Sequence, residues 1–166
     1  MDRDGVINRK APEGGYVDSW AQFAFLPDAL EGLRRLAALN VPIVVATNQR
    51  GIARGRYTEA DLADIHDRMR AAVIAAGGRI DAIEYCPHIG GCECRKPRTG
   101  MFERAAAALG FDLAASAVLG DRASDMEAAN RIGAVRVLVN PYDEHMPPVD
   151  HVAPDLTSAA AWLAER

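Results

Sequence analysis

"VPIVVATNQRG", residues 41–51, is the stretch on which the fold turns. A short β-branched run is followed by Thr47, Asn48 and Gln49, and then by a glycine. An apolar run of this length, bounded by turn residues, reads as a strand buried on both faces, as in a parallel sheet. Its polar end reads as a strand terminus facing a site, because open parallel α/β sheets bind ligands beyond the carboxyl ends of their strands.

Working outward, Leu30, Leu33, Leu36 and Ala37 recur at helical spacing and predict a helix over 28–39. On the other side, Thr58 with Asp61 resembles an N-cap with an acidic residue three positions on, predicting a helix to about residue 76. "RIDAIEYC" (79–86) reads as the next strand and "PHIGGCECRKPRTG" (87–100) as a loop. A helix over 101–109 and the strand and turn "SAVLGD" (116–121) follow. Then come a helix over 124–132, the strand "AVRVLVN" (134–140), a short extended stretch and a last helix. Residues 1–25 carry Gly5, Gly14 and Gly15 without periodicity and read as loop. Alternating strands and helices predict right-handed βαβ units, hence an α/β fold with a parallel sheet covered on both faces.

The chain has 166 residues, the size of one domain. It is 49% apolar and 25% charged, the balance of a soluble globular protein. A net charge of −4 leaves no basic surplus to neutralise phosphates, so no nucleic-acid partner is expected. Neither a transmembrane run nor a signal peptide is present, so no membrane partner and a cytoplasmic location are expected. His66 is expected on an exposed helix face. His145 and His151 are expected to be solvated in a proline-rich stretch, and none of the three receives a role.

The three cysteines, Cys86, Cys92 and Cys94, lie in one loop with His88. Three thiolates and an imidazole form a closed set suited to tetrahedral structural zinc, and an odd cysteine count fits a disulfide poorly. Arg95 and Lys96 abut Cys94, so folding this loop would fix both cations. Arg95 is then a candidate for substrate phosphate, as is Arg54 in the glycine-flanked "GIARG" (51–55).

Three predicted chain ends carry polar residues: Thr47-Asn48-Gln49, Gly120-Asp121-Arg122 with Asp125 one turn on, and the opening Asp2-Arg3-Asp4. Clustered carboxylates call for a hard cation, and Mg²⁺ takes one or two carboxylates together with phosphate oxygens. A metal, a lysine and a hydroxyl facing one point suit a transferring phosphoryl group. One aspartate can attack as nucleophile while a second carboxylate moves protons.

"DRDGV" (2–6), the strand-terminal Thr47, Lys96 and "GDRASD" (120–125) resemble, in order, the four signature elements of the haloacid dehalogenase (HAD) superfamily. The resemblance spans essentially the whole chain. It implies a Rossmannoid three-layer sandwich, here one domain over 1–166 with a zinc-binding loop at about 86–94 and no room for a cap domain. It implies Asp2 as nucleophile forming an aspartyl-phosphate, Asp4 as general acid and base, Thr47 on the phosphoryl oxygens and Lys96 on the developing charge. Mg²⁺ would sit on Asp2, the Asp4 carbonyl and Asp121, with Asp125 in support. Asn48, Gln49, Arg54, Arg95 and Arg122 are the candidates for substrate contact.

Narrower strings, "DRDGVIN", "GGYV", "TNQRGIARG", "CPH" and "CECRKP", resemble one branch, the phosphatases of heptose 1,7-bisphosphate; histidinol-phosphate phosphatase is the close relative. That branch implies removal of the 7-phosphate of a small phosphorylated sugar, by a monomer, in the synthesis of nucleotide-activated heptose. The branch also implies zinc in the cysteine loop, although Ile89-Gly90-Gly91 is a short link between His88 and Cys92. The alternative enzyme is a histidinol-phosphate phosphatase or another small phosphate monoesterase, and a reading from another class is a truncated, catalytically inactive, zinc-stabilised binding module. The family leads into its first aspartate with a central apolar strand, whereas only Met1 precedes Asp2 here. The expectation is a chain that begins too late. Its sheet should show a break, or a forced pairing, between 41–46 and 117–120, and its stability and activity should be impaired, since three buried apolar side chains would contribute roughly 5–9 kcal/mol.

Overall fold

The structure is a computed structural model and describes residues 1–140 and 146–166. His145 lies outside the described residues. Five strands, β1 (Val44–Asn48), β2 (Ala82–Cys86), β3 (Ala117–Gly120), β4 (Val135–Val139) and β5 (His151–Ala153), are interleaved with helices. These are α1 (Ala29–Ala38), α2 (Glu59–Ala75), α3 (Gly100–Leu109), α4 (Ala123–Arg131) and α5 (Leu156–Ala164). Every ladder among the described residues is parallel, with a helix between the strands of β1–β2 and of β3–β4 and none described between β4 and β5.

The sheet lies in two pieces, β1–β2 and β3–β4–β5. Met1 and Asp2 occupy the slot between them. The Met1 ammonium donates to Val44 O (2.7 Å), Ala46 N–H donates to Met1 O (2.8 Å) and Asp2 N–H donates to Leu119 O (2.9 Å). Among the described residues β1 and β3 share no ladder, and the bonds of Met1 and Asp2 bridge them at the place where the sequence predicts a break or a forced pairing. Burial, with the Lys96 charge adding to it, pushes the Met1 amine down to about 5.

Alternation along the strands builds two cores. Val45 and Leu119 pack with Leu33, Ile65, Met69 and Leu156, from α1, α2 and α5. Ala46 and Val118 turn the other way and pack with Met101, Phe102, Ala128 and Ala129, from α3 and α4. The result is the three-layer α/β sandwich the alternation predicted. Helices α1 and α5 meet closely at Gly32, where a Cβ would come within 2.8 Å of the Leu156 backbone. The predicted cap of α2 is present: Thr58 Oγ1 accepts from Asp61 N–H (3.1 Å) while Asp61 Oδ2 accepts from Thr58 N–H (2.8 Å).

Two expectations about histidines are corrected. His66 is only 7% exposed, because it falls on the stripe of α2 that also buries Leu62, Ile65, Met69 and Val73. His151 is not in irregular chain: it stands on β5, half-buried, its ring stacked on Trp162 at 4.3 Å between centroids. Residues 1–25 are loop as expected, apart from a 3-10 turn at Trp20–Gln22 and isolated bridges joining Asp4 to Asn8 and Asn8 to Phe25.

Candidate active site

The carboxyl ends of β1 and β3, with the Met1–Asp2 segment between them, open into a cleft of about 290 Å³. Its walls include Asp2, Asp4, Thr47, Asn48, Gln49, Arg95, Lys96 and Arg122. Three loops form its rim: one after the first turn (Lys10, Tyr16), one after β1 (Arg50) and the cysteine loop (Arg95).

Lys96 is the hub. It is 4% exposed, and its Nζ lies 3.0 Å from Asp2 Oδ1, 2.6 Å from Asp125 Oδ1 and 2.7 Å from the Ala46 carbonyl, to which it donates. Burial pulls the lysine's pKa down, but Asp125 and Asp2 outweigh it and hold its pKa above the ordinary value. Its backbone is anchored by Asn48, whose Oδ1 accepts from Lys96 N–H (3.0 Å) and whose Nδ2 donates to Lys96 O (3.2 Å). Asp125 sits in the first turn of α4 and its Oδ2 accepts from Arg122 N–H (3.1 Å). It approaches so closely because residue 120 is glycine; a Cβ there would collide with the Asp125 side chain.

Asp2 Oδ1 also accepts from Arg3 N–H (2.7 Å). Burial raises the Asp2 pKa against the opposing pull of Lys96, with Asp125 and Asp4 adding to the rise. Asp4 is clamped by donors. Arg3 Nη2 reaches both of its oxygens (3.0 and 3.1 Å), Asn8 Nδ2 reaches Oδ1 (2.9 Å) and Gln49 Nε2 reaches Oδ2 (2.9 Å). Burial pushes this carboxyl up, but Arg3, Asn8 and Gln49 together hold it below the usual range. Gln49 also donates to Thr47 Oγ1 (2.8 Å) and accepts from the Tyr57 hydroxyl (2.5 Å).

Asp2, Asp121 and Asp125 present carboxylate oxygens within 4.8 Å of one another. Burial lifts Asp121 to about 7, opposed by the Lys10 ammonium that pairs with it and reinforced by Asp2 and Asp125. Asp121 Oδ1 is buried without a hydrogen-bond partner among the described residues. A buried, unsatisfied acceptor beside two further carboxylates fits a hard divalent cation such as Mg²⁺.

In the cysteine loop, the donor atoms of Cys86, His88, Cys92 and Cys94 also lie within 4.8 Å of one another. Cys86 Sγ is 3.5 Å from Cys92 Sγ and 3.7 Å from His88 Nδ1, which is 3.2 Å from Cys94 Sγ. Tetrahedral zinc with bonds of about 2.0–2.3 Å needs donors roughly 3.5–3.8 Å apart; Cys86 meets this with Cys92 and His88, whereas Cys94 Sγ lies closer, 2.8 Å from Cys86 Sγ and 3.2 Å from His88 Nδ1. No disulfide joins the three cysteines.

Of the candidate substrate contacts, Arg95 and Arg122 line the cleft. Arg54 does not; it donates to the Tyr16 hydroxyl (3.1 Å) on the outer rim. Asn48 and Gln49 also line the cleft, and their side chains bond Lys96, Asp4 and Thr47. Sequence reasoning missed Lys10, Tyr16, Arg50, Tyr57 and the side chain of Arg3. The family-like strings over 2–8, 14–17 and 47–55 contain Arg3, Tyr16 and Arg50, and the basic string Arg9-Lys10 beside the first motif is a signal for Lys10.

A family model described as HAD-hydrolase-like matches residues 93–159. A D-glycero-beta-D-manno-heptose-1,7-bisphosphate 7-phosphatase of Pseudomonas aeruginosa is 40% identical over 141 residues, 84% of this chain and 78% of that protein. The chain belongs to the HAD-like phosphatases. An Escherichia coli family member with the same name is 35% identical over 98% of this chain and 86% of its own length. A Campylobacter jejuni member named for the alpha anomer is 40% identical over 84% of this chain and 80% of its own. Among solved structures of the family, D,D-heptose 1,7-bisphosphate phosphatase from B. bronchiseptica, complexed with magnesium and phosphate, superposes with a TM-score of 0.90. It is 36% identical and covers 99% of this chain and 96% of its own.

Proposed function

We propose that the protein removes the 7-phosphate of D-glycero-D-manno-heptose 1,7-bisphosphate, with Mg²⁺, through an aspartyl-phosphate on Asp2. The observation that carries the reading is Lys96 bridging Asp2 and Asp125 at the mouth of the parallel sheet, with Asp4 and Asp121 alongside. The names of the relatives support the substrate, and the magnesium and phosphate of the B. bronchiseptica structure support the metal.

Asp2 Oδ1 is held by Arg3 N–H and Lys96, which leaves Oδ2 for attack on phosphorus. The P–O7 bond breaks, its electron pair moves to O7, and Asp4 supplies the proton. Bound phosphate, an anion beside Asp4, raises the pKa that the donors hold down and so lets Asp4 carry that proton. A water then gives its proton to Asp4 and attacks phosphorus. The P–Oδ2 bond breaks, releasing inorganic phosphate and restoring the Asp2 carboxylate. Thr47, whose hydroxyl is oriented by Gln49, and Lys96 bind phosphoryl oxygens. Asp2, the Asp4 carbonyl and Asp121 would hold Mg²⁺, which neutralises phosphoryl charge when bound. Cys86, His88, Cys92 and Cys94 would hold a structural zinc that keeps Arg95 and Lys96 at the cleft.

In this reading residues 1–166 form one domain acting as a cytoplasmic monomer on a small sugar phosphate, without nucleic acid. None of the described helices is long and apolar enough to cross a membrane. The test is phosphate release, with Mg²⁺, from both anomers of the heptose bisphosphate and from histidinol phosphate, by the protein and by Asp2→Asn and Asp121→Ala. Preference for a heptose bisphosphate, silence of Asp2→Asn and a raised Mg²⁺ requirement in Asp121→Ala are expected. Preference for histidinol phosphate would overturn the substrate, and full activity of Asp2→Asn would overturn the covalent route.

A further inference from the structure

Arg3 stands between the two aspartates of the first motif, and its side chain is completely buried. A guanidinium has five N–H donors in one plane, and a buried one needs acceptors for those not used by its carboxylate. Nε and Nη2 face Asp4, at 3.3 Å from Oδ1 for Nε and at 3.0 and 3.1 Å from the two oxygens for Nη2. Nη1 points the other way and meets His66 Nε2 at 3.2 Å, across a separation of 63 residues. His66 comes from the middle of α2, is 7% exposed and lies against the Tyr85 ring, with 6.2 Å between centroids.

The guanidinium is therefore gripped at both ends. On one side it meets a carboxylate that lines the cleft; on the other, an imidazole that does not. Nη1 has only hydrogens to offer, so Nε2 must be the acceptor and the imidazole must be neutral. Burial, with the Arg3 charge adding to it, pushes His66 down to about 3, which keeps that lone pair available. Planarity then transmits position. With Nη1 pinned, the plane that presents Nε and Nη2 is set, and with it the rotation of the Asp4 carboxyl.

We propose that His66 is a positioning residue of this phosphatase: acting through Arg3, it orients Asp4 for proton transfer to the leaving oxygen. The proposal rests on the reading of Asp4 as general acid. Losing the acceptor leaves a buried N–H unpaired. The guanidinium must then tilt to find another partner, and Asp4 turns with it. Proton transfer requires heavy atoms within about 2.6–3.2 Å, so a modest turn is enough to slow it.

The experiment separates orientation of the acid from general damage by varying the leaving group. An alkoxide needs the proton that Asp4 supplies; p-nitrophenolate leaves without it. Release of the leaving group in the first turnover is followed by rapid quench for heptose 1,7-bisphosphate and for p-nitrophenyl phosphate, with Mg²⁺. The proteins are the unaltered chain, His66→Leu, His66→Gln, His66→Asn and Asp4→Asn. His66→Leu is expected to slow sugar release by roughly tenfold while nitrophenol release stays within about twofold. His66→Gln, whose amide oxygen reaches the position of Nε2, is expected to recover most of the sugar rate, and the shorter His66→Asn is not. Should His66→Leu not fold, the Gln and Asn pair reads the same difference.

Equal slowing of both substrates in His66→Leu, or no slowing of either, would overturn the proposal, as would His66→Asn matching His66→Gln. Asp4→Asn separates the two layers. If it fails to discriminate between the leaving groups, the general-acid reading is wrong; if it discriminates and the His66 variants do not, only the role of His66 falls.

Discussion

His66 carries a stability consequence that can be measured apart from catalysis. The groups facing it are Arg3, Asp4, Arg70 and the Tyr85 ring, and burial with the Arg3 charge holds its pKa at about 3. In the unfolded chain it titrates at about 6.5. Between those values the unfolded state binds a proton that the folded state refuses, so stability is complete above pH 6.5 and falls as pH is lowered toward 3. The slope from this one group approaches about 1.4 kcal/mol per pH unit. Urea midpoints of the unaltered chain and His66→Gln, compared from pH 7 to 4, should converge or cross as the pH falls. Parallel curves would show that His66 is not held neutral by its surroundings. At this scale the short motifs around Asp2, Asp4, Lys96 and Asp121 marked them as candidates, and the fold gathers them at one end of the sheet. His66 was missed although its place between Leu62 and Met69 put it on the apolar stripe of α2. A polar residue on such a stripe has a partner, and only the fold supplies Arg3.

Individual elements make two further predictions. The α2 cap is reciprocal, with Thr58 and Asp61 each accepting from the other's backbone. Thr58→Ala should cost about 1 kcal/mol, or a fall in Tm of about 2–4 °C, with turnover unchanged, because the cap lies at an exposed helix end. A thermal melt beside a steady-state assay checks both parts. The slot between β1 and β3 is the second case. Met1 and Asp2 bond across it, to Val44, Ala46 and Leu119. Appending a short apolar strand before Met1 should extend both ladders, bury more apolar surface and raise the urea midpoint. It should also raise turnover, since β1 and β3 carry Thr47 and Asp121 at their ends. An unchanged midpoint and rate would show that two residues suffice to join the halves. The strands and helices themselves were legible because each carries its own period. The start of β1 was not: the apolar run begins at Val41, but Val41 is 49% exposed and pairing begins at Val44.

For the whole molecule, the proposed zinc on Cys86, His88, Cys92 and Cys94 would couple a structural metal to the cleft. Cys94 is two residues from Lys96, and Lys96 is tied back to β1 by Asn48 and the Ala46 carbonyl. The reduced protein, purified without added metal, should carry about one equivalent of zinc by elemental analysis. Stripping it with a chelator should lower Tm and abolish most turnover even with saturating Mg²⁺, because Arg95 and Lys96 lose their fixed loop. Retained turnover in zinc-free protein would sink this coupling.

Local pattern alone determined the β-α alternation, the polar residues at three chain ends, the gathering of every cysteine into one loop with a histidine, and the helix cap. Each depends on residues a few positions apart, whose side-chain direction follows from the 2.0 or 3.6 residue period. The tertiary structure decided how those ends converge. It placed Lys96 between Asp2 and Asp125, bonded Asn48 to Lys96 and Gln49 to Asp4, carried Arg54 to the rim, and buried His66 behind Arg3. These pairings join distant segments through burial. A buried charge or donor takes whichever partner packing brings within reach, and no short-range spacing encodes that choice.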